Sequence, residues 1–176
     1  MPDLIAKPAL GHAPLTLAGT TLTEEPQARI TAIAPFPGQT EAVARALGMA
    51  FPAPGQVVES GGRALVWAGR DIAFLIGDAP TFALAASVTD QSDAWVTLSL
   101  RGPQAVAALA RLVSLDLRRV RAGQCFRTGL NHMPLVLIVE DADRFRLMTF
   151  RSMAQTAWHE VQDALEKVAA RAALTA

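Results

Sequence analysis

Two apolar spacings alternate along this chain. At residues 95–100, Val96, Leu98 and Leu100 share one face while Trp95, Thr97 and Ser99 share the other, the two-residue period of a strand. Residues 30–36 alternate less regularly and are stopped by Pro35 and Pro37, which marks a shorter strand. Apolar runs at 64–68 and 72–76 flank Gly69-Arg70-Asp71, and runs at 133–140 and 144–150 flank Asp141-Ala142-Asp143, so each pair predicts a hairpin. The first 26 residues hold four prolines and read as an arm with one short strand around 15–22.

Helical spacing appears in three places. Residues 38–48 put Val43, Ala46 and Leu47 on one face and end at Gly48, a natural C-terminal stop. Residues 102–113 read as a helix with Pro103 at its first position, where a missing N–H costs nothing. Residues 152–171 carry the stripe Trp158, Val161, Leu165 and Val168. Ser152 and Gln155 have the spacing of a capping box, so Ser152 is expected to start that helix and Trp158 to anchor it to a sheet. A short helix is expected at 79–85 and a loop through 116–129. The resulting order, strand–helix–hairpin–helix, occurs twice. It predicts an α+β fold, with an arm at 1–26, a first subdomain at 27–85 and a second at 86–173.

Composition narrows the partners. Of the 176 residues 51% are hydrophobic and only 18% charged, below the usual quarter. No apolar run is long enough to span a bilayer, so the apolar excess belongs in a core or beneath a partner. Sixteen basic residues balance sixteen acidic ones, which argues against nucleic acid. The start of the sequence lacks the continuous apolar core of a signal peptide, and a cytoplasmic location is the expectation.

No catalytic set emerges from the residues. Ser152, His159 and Asp163 are the residue types of a hydrolase triad, yet on one helix Ser152 and His159 stand about 10 Å apart in rise. His159 and Asp163 are expected to form an exposed i,i+4 pair instead. Cys125 and His132 lack an orienting third group, so Cys125 reads as structural. His12, His132, His159 and Cys125 show no metal-ligand spacing, and no metal site is expected. Gly61-Gly62 reads as a turn, because no phosphate-loop pattern surrounds it. Thr89–Asp93 also reads as a turn, with a buried aspartate of this stretch holding a ligand amine as the alternative. Eight arginines fall between 111 and 151: Arg111, Arg118, Arg119, Arg121, Arg127, Arg144, Arg146 and Arg151. They read as a solvated face or as a contact for an acidic partner, with Arg118, Arg119 and Arg151 as candidate interface residues. An isolated chain is expected to expose an apolar patch rimmed by these arginines, and to self-associate through it.

Residues 87–117 (Ser-Val-Thr-Asp-Gln-Ser-Asp-Ala-Trp and onward through Arg101-Gly102-Pro103), 126–129 (Phe-Arg-Thr-Gly) and 147–161 (Leu-Met-Thr-Phe-Arg-Ser-Met-Ala-Gln-Thr-Ala-Trp-His-Glu-Val) together resemble the gamma subunit of heterotetrameric sarcosine oxidase. The hairpin at 65–77 resembles that family too, with Arg70 and Ala73 standing where it usually has proline and tryptophan; at the start of the last helix Met153 stands where it usually has phenylalanine. The resemblance implies a fold like the folate-binding domain of the glycine-cleavage aminomethyltransferase. It also implies a place in a four-subunit enzyme that oxidatively demethylates sarcosine to glycine, releases hydrogen peroxide and passes the one-carbon unit to tetrahydrofolate. FAD, FMN, NAD and tetrahydrofolate are then expected in two large partner subunits, alpha and beta, and zinc in a small delta subunit. This chain would carry no cofactor and no catalytic residue. A stand-alone folate-binding module and a scaffold unrelated to sarcosine are the alternatives.

Overall fold

Strand β10 (Met133–Asp141) is an almost unbroken apolar run, and its first seven residues are buried except for half-buried Pro134. A run of this kind needs cover on both faces. In the computed structural model, which describes residues 7–174, that cover is a second sheet on one side and helices on the other. β10 is central in the sheet β1-β2-β8-β11-β10-β9. Its other members are β1 (Leu15–Leu17), β2 (Thr20–Glu24), β8 (Trp95–Arg101), β9 (Cys125–Leu130) and β11 (Arg144–Phe150). Facing it is the sheet β4-β5-β6-β3-β7, built from β3 (Ile30–Pro35), β4 (Val57–Ser60), β5 (Arg63–Gly69), β6 (Ile72–Ile76) and β7 (Ala86–Asp90). All neighbouring strands are antiparallel.

Three apolar clusters follow the alternation of the strands. Ile30, Val66 and Phe74 of one sheet meet Trp95, Cys125, Val136, Ile138 and Met148 of the other. On the outside of the β3–β7 sheet, Ile33, Leu65 and Leu75 pack with Val43 and Leu47 of α1 (Thr40–Leu47). On the outside of the larger sheet, Leu98, Leu100, Leu135, Leu137 and Leu147 pack with α2 (Ala105–Leu109) and α3 (Ala154–Leu174). The layers are therefore helix, sheet, sheet, helices. Covering both faces of both sheets absorbs the apolar excess. The large hydrophobics left exposed among the described residues are Phe36, Ile72, Phe82, Val88 and Leu174, none of them between 111 and 151. The exposed apolar surface beside that arginine cluster is made of small side chains, Pro103, Ala107 and Ala110.

The mixed α+β class is as expected; the strand–helix–hairpin–helix halves are not what forms. Each sheet contains a strand, a helix and then a three-stranded meander whose last strand pairs with the first: β3, α1, β4-β5-β6 and β8, α2, β9-β10-β11. Only the second unit closes with a helix. Residues 79–85 form no helix; they lead into β7, which pairs with β3. The expected loop through 116–129 ends at β9, whose sequence Cys-Phe-Arg-Thr-Gly-Leu hides its strand character behind arginine, threonine and glycine. The arm contributes two paired strands, with β2 also joined to β8. Both expected hairpins form, with Gly69 paired to Ile72 and Asp141 to Arg144. Gly48 caps α1 in the left-handed region. Gly61 and Gly62, both at positive φ, make the tight turn between β4 and β5.

Helix α2 is shorter than expected and begins beyond Pro103, with Gln104 as its N-cap residue. Its cap comes from another strand: the buried Thr20 hydroxyl accepts the Gln104 N–H at 2.8 Å. This brings the β1–β2 turn against Gly102, where a Cβ would lie 2.4 Å from the Gly19 carbonyl oxygen. The Arg101-Gly102-Pro103 step is set by that close approach. Gly102→Ala should therefore lower stability by at least about 2 kcal/mol. Gly61→Ala, at a positive φ but with open space around it, should cost only about 1–2 kcal/mol. Denaturant midpoints of the two variants, compared with the parent, check the difference.

Candidate functional site at the strand–helix joint

Residues 145–161 carry the densest motif, and the chain there is held mainly by its backbone. β11 ends at Phe150, Arg151–Met153 make one 3-10 turn, and α3 follows from Ala154. The Arg151 N–H donates to the Ala94 carbonyl at 2.8 Å. The expected capping box is absent: no side chain caps this turn, Ser152 is exposed, and Gln155 Nε2 lies 2.9 Å from His159 Nε2 instead. The 3-10 turn delays the helix by two residues, so the S-x-x-Q spacing no longer matches cap and third helical position. Trp158 does anchor α3. It is 4% exposed within the cluster between helices and sheet, and the His12 ring lies 5.0 Å away.

Arg151 is engaged inside the chain. Its guanidinium donates to the Lys7 carbonyl. Beside it the Glu24 carboxylate accepts the N–H groups of Ala9, Leu10 and Gly11 at 2.7–3.3 Å. The arm is thereby clipped across the end of β2 and β8. The space left among Pro8, Glu24, Trp95, Thr97 and Arg151 is about 20 Å³, room for a water and nothing larger.

The other arginines of 111–151 disperse. Arg146 lies between the sheets, its Nε 2.7 Å from Glu140 and its NH2 3.6 Å from Glu59 on β4. Arg101 reaches both Glu140 and Glu25, at 3.6 and 3.3 Å. The alternating series Glu25–Arg101–Glu140–Arg146–Glu59 thus links the two sheets. It borders a cleft of about 480 Å³ lined also by Val57, Gly123, Asp141 and Arg144. Arg127 sits over the Trp95 ring, 5.7 Å from its centroid, and Arg121 donates to the Arg119 and Val120 carbonyls. Arg118 forms a two-point pair with Asp116 at 2.8 and 3.2 Å. This pair holds the Asp116 carboxyl below its ordinary range and raises the Arg118 guanidinium. Arg118 and Arg119 remain exposed.

The remaining expectations separate in the same way. Asp90 is a turn residue: its Oδ1 accepts from the Ser92 hydroxyl at 2.6 Å and the Ser92 N–H at 2.9 Å, and these bonds lower its pKa. Gln91 accepts from the Trp95 indole at 3.2 Å, so the Asp90-Gln91-Ser92 step serves to seat Trp95. His159 and Asp163 do not pair; Asp163 pairs with Lys167. Cys125 and His132 are kept apart by the length of β9, roughly 17 Å for five residues of strand. The buried Cys125 thiol has two carbonyls within reach of its single S–H, that of Gln56 at 3.3 Å and that of Trp67 at 3.5 Å, where the β4 and β9 edges meet. Burial raises its pKa from 9.0 to about 11. Among the described residues there is no group of three or more His, Cys, Asp or Glu able to hold a metal, and no helix long and apolar enough to cross a membrane. Glu140, expected among the acids that partly neutralise the arginine cluster, does pair with Arg146; sequence reasoning missed Glu24 and Glu59, whose partners are distant in the chain and leave no local spacing.

No family model and no curated protein matches the sequence. Among solved structures, the chain is similar to heterotetrameric sarcosine oxidase from Corynebacterium sp. U-96, in a structure with pyrrole 2-carboxylate: 25% identity, 85% of each chain covered and a TM-score of 0.77. It is also similar in fold to the glycine cleavage system aminomethyltransferase T from Bartonella henselae, at 17% identity and a TM-score of 0.58, covering 83% of this chain and 46% of that one. The resemblance read at 87–161 is borne out: the chain is a relative of the sarcosine oxidase gamma subunit.

Trp158→Ala should cost about 3–5 kcal/mol, as a large ring leaves a cavity, whereas Ser152→Ala should stay within about 0.5 kcal/mol because no cap is lost; thermal melts compare them. Glu24→Ala should speed hydrogen exchange at Ala9, Leu10 and Gly11 while the sheet amides keep their protection, read by mass spectrometry. For Cys125 the folded pKa is raised, so its contribution is complete below about pH 9 and is lost as pH rises toward about 11. Denaturant midpoints should fall across that window in the parent, and less steeply in Cys125→Ala.

Proposed function

We propose that this chain is a gamma-type subunit of a heterotetrameric sarcosine oxidase and contributes structure to the assembly. The observation that carries this reading is the reciprocal match, 85% of each chain at 25% identity, to a chain of such an oxidase. In this reading the complex oxidatively demethylates sarcosine to glycine, releases hydrogen peroxide and transfers the one-carbon unit to tetrahydrofolate. FAD, FMN, NAD and the folate are held by the alpha and beta subunits, and zinc by delta. The assembly is cytoplasmic. The side chains of the described structure fit a structural part: Arg151, Glu24, Trp95 and Trp158 each secure one element of this chain to another.

A second reading rests on the fold shared with the aminomethyltransferase: a stand-alone module that binds folate or a one-carbon carrier. Because the chain spans 46% of that protein, its activity is a proposal for this chain. The two readings are separated by co-expressing the tagged chain with the large flavoprotein subunits of its own organism. Retention of a yellow complex through affinity and size-exclusion steps supports the subunit. Failure to co-purify, together with saturable binding of tetrahydrofolate by the isolated chain in calorimetry, would establish the module instead.

A further inference from the structure

The outer face of α2 breaks the usual rule for a surface helix. An exposed helix presents polar or charged residues to water, yet from Gly102 to Ala110 the chain has no charged residue at all. Ala107, Ala110 and Pro103 are exposed, and Val106 and Leu115 half-buried. These residues line an open groove of about 690 Å³ whose far wall is Asp116–Arg118. Charge gathers immediately around it. Residues 110–122 hold four arginines (111, 118, 119 and 121) against the single acid Asp116, in a chain whose formal net charge is zero. The Arg118 fork is held outward by its two-point pair with Asp116 while its side chain stays 84% exposed, leaving N–H donors directed at solvent.

We propose that the α2 groove is the docking surface for an acidic segment of a partner protein, one that lays small apolar side chains along Val106, Ala107 and Ala110 and sets carboxylates against Arg118 and Arg119. An apolar floor with a basic rim is the division of labour found in protein interfaces, the floor excluding water and the rim guiding approach. Small floor residues admit close backbone approach, which suits a helix or an extended strand better than a bulky anchor. Within the subunit reading this deepens that proposal, since it names the face offered to a larger subunit; the groove itself does not depend on that reading.

The test uses the full chain in two arms. In the first it is co-expressed with the large flavoprotein subunits, as parent, Ala110→Glu, the double charge reversal Arg118→Glu with Arg119→Glu, and Val88→Glu on the opposite sheet edge. The groove variants should lose at least tenfold in recovered complex and Val88→Glu should lose none, while circular dichroism shows all of them folded. Full recovery of the groove variants, or loss only with Val88→Glu, overturns the proposal. In the second arm, independent of any complex, a fluorescent synthetic helix with alanine and leucine on one face and glutamate on its flanks is titrated against its lysine counterpart. The acidic helix should bind at least tenfold tighter at low salt and lose that advantage as salt is raised. Equal binding of the two helices overturns the proposal even where no flavoprotein complex forms. A parent chain that dimerises in light scattering and becomes monomeric with Ala110→Glu assigns the groove to a second copy, and overturns it too.

Discussion

Trp95 sits where the demands of this fold converge. The two sheets can close over an apolar layer only if one large side chain fills the end of that layer, and Trp95 does so, 5.2 Å from Phe74 of the facing sheet and 4.8 Å from Phe150 of its own. Burying an indole requires a partner for its N–H, and Gln91 supplies it. That in turn fixes the Asp90–Ser92 turn, which ties the end of β7 to the start of β3 through the Ile30 N–H on Ser92 and the Gln91 N–H on the Ile30 carbonyl. Arg127 lies over the ring as well. Strand pairing, turn chemistry and the route of the chain between the sheets all lead back to this one burial.

The same economy governs the charges. Arginines that look like a basic face in one dimension are spread over a sheet edge, an inter-sheet series, a ring face and the arm. Arg146 and Glu140 illustrate why. Partly buried charges are tolerated when paired with opposite charge, and the series from Glu25 to Glu59 alternates sign throughout. Arg151, placed at the end of a buried strand, meets the Lys7 carbonyl. The Arg118–Arg119 corner beside α2 stays exposed, although Arg118 is paired with Asp116.

The chain is built of two meanders of similar order, β3, α1, β4-β5-β6 and β8, α2, β9-β10-β11. The polar side chains described here are mostly spent on their own fold: carboxylates on backbone amides and guanidinia, the thiol on carbonyls.

Local features were legible in the sequence because they are local in energy. The alternation at 95–100, the turns at Gly61-Gly62 and Arg70-Asp71, the stop at Gly48 and the Trp158 stripe each depend on residues within a few positions, and the structure keeps them. Tertiary structure decided the rest. β9 exists because β10 offers it an edge, although its own residues read as a loop. The S-x-x-Q spacing at 152–155 fails because a 3-10 turn over Arg151–Met153 precedes the helix, and Thr20 caps α2 from 84 residues away. Pairing across such distances leaves no spacing to read, since each partner's identity is set by where the packed sheets bring it.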